Sequence, residues 1–251
     1  MRKIITISSI IIILGLIGGG IYVYTRPETT ATTNNSAVNE KAATTETGFN
    51  KQQYSLTDPT SIWIIANKHY ALPIDYEPTL VVPKVKLRLA STEQQMHISK
   101  TAEPAIEEMF GAAKSEGVSL VFGSGYRSAA LQKQFYNDYV RQDGQAAADT
   151  YSARPGHSEH QTGLALDVTS SDGQCHLEIC WENTVEGKWI AANSYKYGFI
   201  IRYPNGKDSI TGYQYEPWHI RYVGKDLAAE VHKTGQTLEE FFDLGAAPSY
   251  D

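Results

Sequence analysis

The stretch Ser158-Glu159-His160-Gln161-Thr162-Gly163-Leu164-Ala165-Leu166-Asp167 sets an imidazole seven residues ahead of a carboxylate that sits in an apolar run. Further along, Glu216-Pro217-Trp218-His219 adds a second imidazole and a second carboxylate. A catalytic zinc site takes three protein ligands, commonly His nitrogen and carboxylate oxygen, and keeps a fourth position open for water. His160, Asp167 and His219 fit those three places. Glu216 stands three residues before His219, so a turn there holds it near the attacking water as a general base. On a regular strand the two would face opposite ways, but Pro217 removes a ladder donor and argues against one. Asp167 amid Leu164, Ala165, Leu166 and Val168 needs a cation, either a metal or an Arg partner, to offset its desolvation. Trp218 reads most simply as core.

The two motifs, S-x-H-x-x-G-x-A-x-D and E-x-W-H, resemble the VanY-type D-alanyl-D-alanine carboxypeptidases and their LD-carboxypeptidase relatives, zinc enzymes that trim the stem peptides of bacterial peptidoglycan. Asn67-Lys68, Leu72-Pro73 with Tyr76-Glu77-Pro78, and Ser124-Gly125-Tyr126-Arg127-Ser128 with Gln132 extend the resemblance, in the family's order, over residues 58–225. It implies one Zn²⁺ per chain on the histidine that precedes Gly163 by three, which is His160. His157, three residues earlier, is then outer support or surface, and His69, His97, His176 and His232 are ordinary histidines. The resemblance further implies that Ser158 meets the free C-terminal end of the substrate, with Tyr126 and Gln132 nearby. Arg127 follows a glycine-flanked turn, where a guanidinium serves the developing oxyanion or clamps the terminal carboxylate, unless it is a structural ion pair. DD-cleavage of pentapeptide stems is the leading expectation and LD-cleavage of tetrapeptide stems the alternative, since both occur in the family. A zinc-containing wall-binding module without turnover is a third reading, which retention of Glu216 opposes.

Composition agrees with a single catalytic domain. The 251 residues are 41 % apolar and 20 % charged, enough for one core of its own. A net charge of −6, with no basic cluster beyond the N-terminus, argues against nucleic acid as a partner. Residues 1–26 contain Arg2-Lys3 and then an uncharged run at 4–24, long enough to cross a bilayer and oriented with the basic pair in the cytoplasm. A cleaved signal peptide is the rival, but no Ala-x-Ala-like site follows closely. Residues 27–50 read as a disordered linker and residues 51–251 as the catalytic domain, a monomer held at the outer membrane face. Cys175 and Cys180 are expected to form a disulfide in that compartment, a zinc role being the lesser alternative for a single pair.

The pattern predicts an α+β domain with a small, mostly antiparallel sheet flanked by helices. Strands are expected at 61–66, 118–122 and 164–169, with 123–125 as the turn ending the second. Extended chain is expected at 199–203 and 213–222. Helices are expected at 101–115, 128–141, 145–152, 187–197, 226–233 and 237–244. In the second of these Leu131, Phe135, Tyr139 and Val140 are expected on or near the inner face.

Overall fold

Successive side chains along a strand point to opposite faces, and here that alternation separates apolar from polar chemistry. The computed structural model describes residues 49–250, which lie in one unit of the chain. The expected anchor at 1–26 and nearly all of the expected linker at 27–50 fall outside the described residues. Among the described residues no helix is long and apolar enough to cross a membrane.

In chain order the elements are β1 (Leu80–Val81), β2 (Ile98–Ser99), α1 (Glu103–Ser115), β3 (Leu120–Ser124), α2 (Ala129–Asp143), α3 (Gln145–Ala148), β4 (Ala165–Ser170), α4 (Val185–Asn193), β5 (Phe199–Ile201), α5 (Asp208–Thr211), β6 (His219–Tyr222), α6 (Lys225–Thr234) and α7 (Leu238–Phe241). β1 pairs with β2, and the other four strands form a sheet of order β3-β4-β6-β5 in which every neighbour is antiparallel. The fold is therefore a mixture of helices with a small antiparallel sheet, as the pattern predicts.

Phe122, Leu166, Val168 and Ile220 point to one face and pack with Ile106, Met109 and Phe110 of α1. The alternating positions, Ser124, Asp167, His219 and Arg221, put polar groups on the other face. Beyond the far end of that face Ile200 joins Leu227 and Val231 of α6 and Leu238 and Phe241 of α7 in a second cluster. Asp167 pairs directly with His219 across the β4–β6 ladder. The two motifs are thus joined by strand register.

Three expectations fail for identifiable reasons. Residues 61–66 form no strand, although Trp63 and Ile65 enter the second cluster while Ile64 and Ala66 enter the first. Their side chains alternate between the two clusters as in a strand, but the Ile62 and Ile64 carbonyls accept from Arg221 Nη2 (3.1 and 2.8 Å) instead of from a ladder. Residues 123–125 do not end β3, which continues through Ser124 with a register shift after Phe122. A Cβ at Gly123 would lie 2.8 Å from Asp167 O, so the close approach of β3 to β4 requires glycine there. The buried residues of α2 are Ala129, Gln132 and Tyr136, in place of the expected apolar set. Phe135 instead lies beneath the Arg127 guanidinium and Tyr139 lines a cleft, so this helix walls a site as well as covering core. Of the extended stretch at 213–222 only β6 is strand, and of 145–152 only α3 is helix.

Candidate active cleft and metal centre

His160 lies on a 3-10 turn, Glu159–Thr162, that closes at Gly163 with φ 64°. A Cβ at Gly163 would approach Pro78 Cγ and Ser99 N at 3.0 Å, so glycine serves both the left-handed backbone and the packing. Nδ1 of His160 donates to Gly125 O (2.7 Å), which leaves Nε2 facing Asp167 Oδ2 at 3.4 Å. Ser124 Oγ donates to the same Oδ2 (2.5 Å), and Asp167 Oδ1 stands 3.2 Å from His219 Nδ1. One ligand atom from each of His160, Asp167 and His219 lies within 4.8 Å of the others, and all three residues are buried.

This arrangement fits a divalent cation. Asp167 Oδ1 is buried with no hydrogen-bond partner, a costly state for a carboxylate that a shared cation would relieve. Two imidazoles and one carboxylate form a ligand set suited to zinc with positions left open. Burial opposes ionisation of Asp167, but His160 and His219 outweigh it and hold the carboxyl well below the usual range. Burial lowers His160, with Asp167 opposing.

Glu216 reaches the site through a turn: the His219 amide donates to Glu216 O (3.3 Å) and the Glu216 amide to Tyr203 O (3.0 Å). Its Oε2 is 3.7 Å from His219 Nδ1. Burial, aided by Asp167 and opposed by His219 and Arg127, pushes its carboxyl up to about 8. Arg127 Nη1 donates to Gln132 Oε1 (2.8 Å), whose amide is fixed by donation to Ala153 O (2.6 Å). The Nε of Arg127 is buried without a partner.

Arg127, Gln132, Ser158, His160, Asp167, Glu216, Trp218 and His219 all line one cleft of about 190 Å³. Tyr126 is apart from it, buried at 2 % exposure and absent from the lining. His157 is also apart, donating from Nδ1 to Asn67 O (2.7 Å) and meeting Tyr250 edge-on. Trp218 does both jobs, belonging to the first core cluster and to the cleft wall. Cys175 and Cys180 are disulfide-bonded, and Leu177 within their loop stands at the cleft.

Sequence reasoning passes over Glu159. Its Oε1 accepts from Arg202 Nε and Arg221 Nη1, each at 2.7 Å, in a fully buried charge cluster. Burial works against ionisation of Glu159, yet Arg202 and Arg221 keep it ionised far below the ordinary value. Arginines inside the apolar runs Ile200-Ile201-Arg202 and Ile220-Arg221 were the available signal that a buried carboxylate had to exist.

A cleft with two imidazoles and several carboxylates on an antiparallel sheet suits metal-dependent hydrolysis, and comparisons with known proteins narrow it to a carboxypeptidase. A model of the VanY family, D-alanyl-D-alanine carboxypeptidase, matches residues 95–225. YodJ of Bacillus subtilis (strain 168) is 42 % identical over 232 residues, 87 % of this chain and 85 % of YodJ. Among solved structures, the LdcB LD-carboxypeptidase superposes with TM-score 0.71 at 47 % identity, covering 74 % of this chain and 87 % of LdcB. A variant of the vancomycin-resistance D,D-pentapeptidase VanY in complex with Zn(II) gives 0.60 at 34 % identity, over 71 % and 97 % of the two chains. The chain belongs to the VanY family of D-alanyl-D-alanine carboxypeptidases.

Proposed function

We propose that this carboxypeptidase removes the C-terminal D-alanine from peptidoglycan stem peptides, with zinc held by His160, Asp167 and His219. The observation that carries the reading is the convergence of those three side chains beside Glu216, with Arg127 in the same cleft. Zinc supplies Lewis acidity toward the scissile carbonyl. Glu216 takes a proton from the attacking water and delivers it to the departing amine as the C–N bond breaks. Positive charge at the three ligands draws its raised pKa back toward the range such a base needs. The unpartnered Arg127 Nε supplies a donor for the carbonyl oxygen or the terminal carboxylate, and Gln132 holds the guanidinium for that task. Ser158 lines the same space and meets the free end of the substrate.

The proposed reaction needs no second subunit, because His160, Asp167, His219, Glu216 and Arg127 all line the cleft of a single chain. The apolar run at 4–24 after Arg2-Lys3 supports a membrane-anchored enzyme with its domain outside the cytoplasm, and the Cys175–Cys180 bond suits an oxidising compartment.

LD-cleavage is the second reading, favoured by the greater similarity to LdcB than to VanY. The zinc-loaded enzyme is to be given pentapeptide and tetrapeptide stems separately, with D-alanine release followed by mass spectrometry. Release from the pentapeptide alone supports DD-cleavage, and release from the tetrapeptide moves the assignment to LD-cleavage. Release from neither would overturn both.

A further inference from the structure

Behind the metal ligands lies a buried chain of charges. Glu239 of α7 grips Arg202 through two contacts, Nη1 to Oε2 at 2.9 Å and Nη2 to Oε1 at 2.6 Å. Arg202 Nε then donates to Glu159 Oε1, which also takes Arg221 Nη1. Both donors converge on one oxygen. The other, Oε2, is buried with no hydrogen-bond partner and lies 3.6 Å from His219 Nε2, itself buried without one. His219 Nδ1 is the nitrogen turned toward Asp167 and Glu216.

We infer that Glu159 is a positioning residue for the metal centre: its Oε2 accepts the Nε2 proton of His219 and so keeps Nδ1 free and aimed at Asp167. A small ring rotation closes the 3.6 Å gap to hydrogen-bond length. Neutral imidazole carries one proton, and the group facing one ring nitrogen decides whether the other can ligate. Arg202 and Arg221 fix which carboxylate oxygen is left for His219. The inference rests on the reading of His160, Asp167 and His219 as a zinc site.

Glu159→Gln tests this sharply because the two guanidiniums can bond only an oxygen. The amide oxygen must stay with Arg202 and Arg221, so the NH₂ group meets His219 Nε2. That favours the proton on Nδ1, the wrong nitrogen for a ligand. Zinc affinity of the full chain, measured by chelator competition, should fall about 10- to 100-fold, as for other groups that orient a ligand histidine. Glu239→Gln disturbs the same charge cluster without facing His219, and should lower thermal stability while leaving zinc affinity at the wild-type value.

Nitrogen-15 spectra of the zinc-loaded wild type should show His219 protonated at Nε2, a result that stands even if Glu159→Gln does not fold. Protonation at Nδ1, or a folded Glu159→Gln variant that binds zinc as tightly as wild type, overturns the proposal while leaving the zinc reading intact. Equal loss of affinity in both variants also overturns it, by making the effect a general one of destabilisation. A wild-type chain that binds no zinc overturns the underlying reading itself.

Discussion

Glu216 shows how much depends on the surroundings of a single group. Replacing it with alanine removes the proposed proton carrier and none of the three proposed ligands. Glu216→Ala should retain zinc and fold while D-alanine release drops about 10²- to 10⁴-fold; metal analysis beside stopped-time assays checks both halves. Asp167→Asn should lose zinc, because a neutral amide offers only a donor or a weak acceptor where a carboxylate now stands between the two imidazoles. His160, Asp167, His219 and Glu216 were legible in the sequence because their chemical types recur at spacings a metal site needs. Glu159 was not legible, although it adjoins His160. Nothing in the sequence says that both of these neighbouring side chains turn inward, and its partners Arg202 and Arg221 lie far along the chain. Tyr126 shows the converse: its place beside Arg127 suggested the cleft, while the backbone turns its ring into the interior.

At the scale of elements, α1 and β4 could be read directly, since a clean helical period and an apolar run each specify their own conformation. Residues 61–66 could not, because strand-like alternation was satisfied by a guanidinium from elsewhere. The bulge in β3 was hidden for a similar reason, Gly123 answering to close approach across the sheet and not to a turn. At Gly125 a Cβ would stand 2.3 Å from His97 O and 2.5 Å from Phe122 Cζ. Gly125→Ala should therefore destabilise the fold by about 1–3 kcal/mol, and it should loosen zinc as well, because the Gly125 carbonyl orients His160. Chemical denaturation with a parallel chelator titration reads the two effects. The Cys175–Cys180 bridge closes a short loop worth about 2 kcal/mol. Replacing both cysteines by serine should raise KM by freeing Leu177 at the cleft while kcat and bound zinc persist. A fall in kcat with KM unchanged would contradict that assignment of the loop.

The whole molecule links protons, metal and stability. From the protein's own groups, His219 is raised to about 9: burial opposes its charge, but the facing carboxylates of Asp167 and Glu159 outweigh it. Glu216 is raised to about 8. Both folded values exceed the ordinary 6.5 and 4.5, so the stability these groups confer is complete below the unfolded values and lost as pH climbs through the folded ones. Chelated protein should lose several degrees of Tm between about pH 6.5 and 9. Zinc binding displaces protons, so the Tm gap between zinc-loaded and chelated protein should widen over the same interval. Calorimetry at three pH values tests this, and a constant gap would contradict it.

The ladder that pairs Asp167 with His219 also sets what kinds of change the enzyme can absorb. A residue added or removed within β4 or β6 reverses the parity of the strand and carries a ligand to the α1 side. The connecting segments 171–184 and 204–214 have no parity to keep. Leu177, Tyr213 and Gln214, which help line the cleft, lie in these segments. New substrate walls can therefore be installed by altering loop length, as interchangeable parts around a fixed chemical frame, whereas any exchange of strands must be made in steps of two.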